Sequence, residues 1–91
     1  MIYKVVYSEK ALKQISRLDK NTARIIINYM DNVSNLQEPR SKGKALSGNL
    51  RGFWRYRVGK YRILTQVEDD KLTVFVVDVG HRSGIYQKDN I

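Results

Sequence analysis

Three arginines, Arg55, Arg57 and Arg62, lie in the run Gly52-Phe53-Trp54-Arg55-Tyr56-Arg57-Val58-Gly59-Lys60-Tyr61-Arg62. Alternating aromatic and charged residues predict strands, and Gly59-Lys60 suits a two-residue hairpin turn with glycine first. Side chains alternate across a strand, so Arg55 and Arg57 share one face while Trp54, Tyr56 and Val58 share the other. If Gly59-Lys60 is the turn, Val58 stands opposite Tyr61 and Arg57 opposite Arg62. Directly opposed like charges cost about 0.2–1 kcal/mol, a cost with no local return unless an anion sits between them. A one-residue slip would move Arg62 to the other face. The plainer reading is a solvated sheet face whose arginines snorkel around aromatics. Trp54 and Tyr56 are expected in the core rather than as base-stacking platforms.

The trio belongs to a longer basic segment. From Pro39 to Val67 the chain carries eight cations, Arg40, Lys42, Lys44, Arg51, Arg55, Arg57, Lys60 and Arg62, and no Asp or Glu. Elsewhere nine cations are matched by nine acids, so the formal charge of +8 is local. Such a concentration suits a polyanionic partner. Arg40, Lys42, Lys44, Arg51 and Lys60 are expected to contact that polyanion around the trio.

Beyond the last apolar run stand His81, the chain's one histidine, then Arg82 and Tyr86. With one histidine, no cysteine and scattered acids, the sequence offers no ligand set for a metal, and neither metal nor cofactor is expected. Glu68, Asp69 and Asp70 read as a solvated turn. Cations, one imidazole and phenols suit cleavage of RNA, which carries its own nucleophile in the 2′-hydroxyl. Arginines clamp phosphate oxygens and stabilise transition-state charge. A proton acceptor for the 2′-hydroxyl and a donor for the leaving 5′-oxygen complete the set.

The elements that must position these groups are read from patterning. Ninety-one residues, 42% of them hydrophobic, make a single domain over 1–91. Residues 2–7 read as a strand. Ser8 caps a helix whose apolar face is Ala11, Leu12, Ile15 and Leu18. Asn21 or Thr22 caps a second helix with Ile25, Ile26, Tyr29, Met30, Val33 and Leu36, ending at Glu38-Pro39. Residues 40–51 read as a basic loop in which Ala45-Leu46 forms a short bridge. Strands follow at 53–58, 61–67 and 72–79, with Gly80 closing the last and a loose turn after it. The expected fold is α+β: an N-terminal strand, an antiparallel helical pair, then a three-stranded meander in one mostly antiparallel sheet. The opening residues are strand-like rather than a leader, and no apolar run approaches the ~20 residues of a membrane span. A cytoplasmic protein is the expectation, with no membrane partner.

The chain resembles the RelE/ParE superfamily of bacterial toxins, and its RelE-type branch in particular. The resemblance rests on Ser8-Glu9-Lys10-Ala11-Leu12-Lys13, on Lys44-Ala45-Leu46-Ser47-Gly48, on the run from Gly52 to Arg62, and on Val79-Gly80-His81-Arg82 with Ile85-Tyr86. It implies a ribosome-dependent endoribonuclease that cuts messenger RNA in the A site, together with a cognate acidic antitoxin of the RelB kind. By resemblance, Arg55, Arg57 and Arg62 hold the scissile phosphate, Arg82 acts on the leaving group and Tyr86 stacks on a base. Some relatives carry lysines at the positions of Arg55 and Arg57. A lysine among cations can lose its proton near neutrality, whereas arginine effectively cannot, so His81 is nominated as the proton carrier. Two other readings stay open: a ParE-like toxin that poisons DNA gyrase, and a catalytically inactive relative that binds RNA or antitoxin only.

Overall fold

The computed structural model describes residues 3–81. Strand β1 spans Lys4–Tyr7, helix α1 Glu9–Ser16 and helix α2 Lys20–Ser34. After a single 3-10 turn at Pro39–Lys42 come β2 at Lys44–Ala45, β3 at Trp54–Val58, β4 at Tyr61–Glu68 and β5 at Thr73–His81. The strands form one five-stranded sheet in the order β1-β5-β4-β3-β2. All pairs are antiparallel except β1 with β5. This is the α+β architecture expected from patterning, with two differences. The basic loop contributes a short edge strand, and β5 does not stop at Gly80 but runs through it to His81. The loose turn expected after the last strand lies outside the described residues. None of the described helices is long and apolar enough to cross a membrane.

Both helices are capped by side chains that precede them. Ser8 Oγ accepts from Ala11 N at 3.0 Å. For α2 the cap is Asp19 rather than Asn21 or Thr22, because its carboxylate reaches both Thr22 N at 3.1 Å and Thr22 Oγ1 at 2.6 Å. Ala11 and Ile15 of α1, and Ile26, Met30 and Val33 of α2, are buried against Tyr56, Val58, Ile63, Val74, Val76 and Val79 of the sheet. Leu12 and Ile25, expected on the buried faces, are half exposed at 55% and 50%. Period alone places them one step beyond the contact stripe. With apolar burial worth about 25 cal/mol per Å², this core shared by both helices and the sheet stabilises the fold.

The turn at Pro39–Lys42 is nailed to the same core. Tyr56 Oη donates to Pro39 O at 2.8 Å, and Trp54 Nε1 donates to Arg40 O at 3.1 Å. Gly43 then passes so close to Trp54 that a Cβ would collide with its indole ring and stand 2.9 Å from Arg55 O. Asp69 completes the arrangement. It accepts from Tyr3 Oη at 2.7 Å and from both terminal nitrogens of Arg40 at 3.1 and 2.9 Å. It is therefore an anchor, not the idle acid of a solvated turn.

The Arg40 hydrogen bonds, then those from Tyr3, hold the Asp69 carboxyl below its ordinary value, and Thr22 does the same for Asp19. A carboxylate depressed by folding stabilises the native state above its unfolded value of about 3.9, and that contribution disappears as pH falls through the lower native value. The melting temperature of the Asp69→Asn variant should therefore lie below that of the wild type at pH 6. The gap should narrow as the pH is lowered through and below the unfolded carboxylate value. A gap that stayed constant across this range would contradict the assignment.

Candidate functional site: an arginine-lined sheet face

The β3–β4 hairpin sets the site. Gly59 adopts φ 59 at the first turn position, while Leu72 is the only non-glycine with positive φ among the described residues. That combination is the II′ kind of turn, whose twist matches the strands it joins. The resulting register pairs Val58 with Tyr61, Arg57 with Arg62, Tyr56 with Ile63 and Arg55 with Leu64. Tyr56 and Ile63 are fully buried toward the helices, and Tyr29 of α2 meets the Tyr56 ring edge-on at 6.3 Å. Residues alternating with them must then project to the opposite face. Arg55, Arg57 and Arg62 share that face, with Arg57 directly across from Arg62.

Two neighbours extend the constellation. Lys44 of β2 pairs with Arg55, so it stands on the trio's face and not in a separate basic loop. Across β4, Arg62 pairs with Gly80 of β5, which adds no side chain to that row. The face thus carries a row of Arg57, Arg62 and Gly80 beside a row of Lys44, Arg55, Leu64 and Asp78, the last with its carboxylate engaged by Lys10 and Gln14 of α1. Arg57 is exposed, while Arg55 and Arg62 are half buried. Among the described residues, Arg55 Nε is one of two buried side-chain polar atoms without a hydrogen-bond partner, the other being Tyr7 Oη. A buried donor left unsatisfied costs about 1–3 kcal/mol, so its persistence asks for an explanation.

Arg40 has a different fate from its basic neighbours. Its guanidinium is shared among Asp69, Glu38 at 3.3 Å and Val67 O at 3.4 Å, and lies 6.0 Å from the centroid of the Trp54 ring. Arg40, expected as an RNA contact, thus has guanidinium donors engaged by the domain's own acceptors. Lys42, Arg51 and Lys60 are exposed at the rim.

His81 also departs from expectation. It pairs with Tyr61 in the register, and their rings meet edge-on at 5.6 Å and 78°. Tyr61 packs against the core on the helix side. Directly paired residues project to one face, so His81 stands on the side away from the arginines. Sequence order placed it near the site; strand alternation turns it over. The buried phenols are no substitute as proton acceptors. Burial pushes Tyr7 up to about 12 and raises Tyr56 as well. Arg82 and Tyr86 lie outside the described residues.

Sequence reasoning missed Asp69, whose role depends on Tyr3 and Arg40 arriving from distant segments. It also missed the register shift in β5, where Leu64 faces Asp78 but Thr65 faces Val76, leaving Val77 as an extra residue. No local composition marks a bulge of this kind.

Comparisons with known proteins bear on the family and the fold. A family model described as ParE toxin of type II toxin-antitoxin system, parDE, matches residues 5–86. Toxin RelG of Mycobacterium tuberculosis is 29% identical over 89 residues, covering 97% of this chain and all of that protein. The toxin-antitoxin complex RelBE2 from the same organism contains a chain of similar structure, with a TM-score of 0.81 and 27% identity over 91% of this chain and 94% of that one. A mutant of E. coli toxin RelE in complex with an antitoxin RelBc peptide superposes with a TM-score of 0.74 at 26% identity, covering 98% and 95%. The two-helix, five-stranded fold, the arginine-bearing hairpin and a family match over nearly the whole chain lead to one assignment: this protein belongs to the RelE/ParE superfamily of toxins from type II toxin-antitoxin systems.

Proposed function

We propose that the protein is a ribosome-dependent endoribonuclease that cleaves messenger RNA in the A site. The observation that carries this reading is the pairing of Arg57 with Arg62 on the face that also bears Arg55 and Lys44. Four cations on adjacent strands can surround one phosphodiester. Arginine presents a planar fork of donors that matches phosphate oxygens in pairs. In the reaction the 2′-oxygen bonds to phosphorus as the bond to the 5′-oxygen breaks. The 2′-proton passes to solvent water and the leaving oxygen takes a proton from solvent, giving a 2′,3′-cyclic phosphate and a free 5′-hydroxyl. Arg55, Arg57 and Arg62 hold the phosphate and stabilise the charge that develops on its oxygens. Lys44 approaches from the β2 side. Arg82 stabilises the leaving oxygen, and Tyr86 stacks on a neighbouring base. His81, turned to the other face, has no part in proton transfer at this phosphate.

Rim residues Lys42, Arg51 and Lys60 contact ribosomal RNA. The toxin's partner in the cell is an acidic antitoxin that covers or displaces the arginine face, as charge complementarity with a chain of net charge +8 favours. A second reading, a ParE-like toxin acting on DNA gyrase, draws support from the match to the ParE toxin family. It gives the arginines no chemical task, so a single variant separates the two.

Purified protein added to a translating extract should cut the message at codon-phased positions, visible by primer extension, and only where ribosomes are present. Arg62→Ala should lower the single-turnover cleavage rate by about 10²–10³-fold, the usual loss on deleting one transition-state donor. Full toxicity in Arg62→Ala would favour the gyrase reading instead. Replacing Lys42, Arg51 and Lys60 together by alanine should raise the ribosome concentration needed for half-maximal cleavage. The same variant should shallow the log–log salt slope of binding by about one for each phosphate no longer neutralised. Gly80→Leu should place a side chain beside Arg62 and reduce cleavage at least tenfold with a melting temperature near that of the wild type. Unimpaired cleavage by that variant would mean the substrate does not approach over Gly80.

A further inference from the structure

Strand β1 stops pairing with β5 at Tyr7 and Val76, yet β5 continues to His81. Past Val76 the outer edge of β5 has no strand neighbour among the described residues. Backbone groups left unpaired at a part-buried edge need other partners. Helix α1 and its cap supply them. Ser8 N donates to Val76 O at 2.8 Å, and Ser8 Oγ donates to Val77 O at 3.1 Å. Gln14 Oε1 then accepts from Val79 N at 2.7 Å, while Gln14 Nε2 donates to Asp78 Oδ1 at 2.6 Å. Lys10 Nζ reaches Asp78 Oδ2 at 3.3 Å.

This stitching falls on the bulge. A bulge bends its strand and re-aims the residues beyond it, and the unpaired residue leaves the local direction poorly determined unless something holds it. Beyond this bulge stand Gly80, the neighbour of Arg62, and then the chain leading to Arg82 and Tyr86. One carboxamide grips the backbone N–H of Val79 and the side chain of Asp78 together, so it fixes the Asp78–Val79 peptide, one residue short of Gly80. An amide suits this task because one atom accepts and the other donates. A carboxylate in its place would meet the Asp78 carboxylate with acceptor against acceptor.

We infer that Gln14 is a positioning residue for the arginine face: through Val79 and Asp78 it sets how the end of β5 lies against Arg62. It makes no contact with substrate in this role. The inference rests on the nuclease reading for its first assay and not for its second. A displacement of about 1 Å at a reacting centre can cost on the order of 10²-fold in rate, so a small rotation of this strand end is enough to matter.

The test uses the full chain and a swap of donor and acceptor. Gln14→Glu should lower the cleavage rate at saturating ribosomes at least tenfold, with the half-saturating concentration within twofold of wild type. It should also speed hydrogen exchange at the Val79 amide at least tenfold. Adding Asp78→Asn to it restores a donor opposite the new acceptor, and should return both rate and amide protection to within threefold of wild type. If Gln14→Glu does not fold, Gln14→Met, similar in shape but without either polar atom, replaces it in the first comparison. Wild-type cleavage by the single variant despite rapid exchange at Val79 would overturn the positioning role. So would a double variant whose amide is protected again but whose rate stays low. If the wild type itself cuts no message, the nuclease reading fails, and growth arrest on expression without antitoxin becomes the readout. Equal arrest by Gln14→Glu and wild type would then overturn the inference.

Discussion

Like charges meet across the β3–β4 hairpin because the opposite side of the same residues is buried. Tyr56 and Ile63 pair beneath α2, both with no exposed surface, and the period of two sends Arg57 and Arg62 to the other face. The repulsion between two guanidiniums, about 0.2–1 kcal/mol, is small beside the several kcal/mol gained by burying a tyrosine and an isoleucine. A slip of one residue would relieve the repulsion and expose the core, so the register cannot relax. The turn enforces the same choice, since Gly59 at positive φ closes a two-residue loop without strain. An anion binding at this face finds its cations already assembled.

Arginines of the basic segment are of two kinds, one with its guanidinium engaged by the domain's own acceptors and one keeping a buried donor without a partner in the described structure. Arg40 illustrates the first kind. Its fork is bidentate on Asp69, and its backbone carbonyl accepts from Trp54. That junction ties Tyr3 near the start of the chain, the turn at Pro39–Lys42 and the β4–β5 connection to a single carboxylate. Arg55 illustrates the second kind, with a buried Nε that nothing in the described structure satisfies. Both arginines are half buried, and their difference lies in which acceptors the fold brings within reach.

Helix α1 does more than cover the core. By continuing the ladder of β5 beyond the end of β1, it gives Val77 O and Val79 N partners at the bulge, close to the arginine rows. The arginine face therefore depends on two supports. The hairpin fixes Arg55, Arg57 and Arg62 relative to one another, and the α1 contacts fix β5 beside them.

Much of this was legible in the residues alone. The alternation of Trp54, Tyr56 and Val58 with Arg55 and Arg57, joined to a Gly59-Lys60 turn, determined the hairpin, its register and the shared face of the arginines. Both signals are local, and burial reinforced them. The two helices were legible from apolar spacing, though that spacing overreached at Leu12 and Ile25, where the contact stripe is narrower than the apolar one. What the chain could not disclose by itself is where separate segments meet. The pairing of Lys44 with Arg55, the commitment of Arg40 to Asp69 and the grip of Gln14 on Val79 each join residues remote in sequence. Tertiary structure also placed His81, because β5 runs through Gly80 and pairs His81 with Tyr61, on the face opposite Gly80 and Arg62. Local preference reaches only a few residues, whereas the completed site is a property of how distant strands are registered.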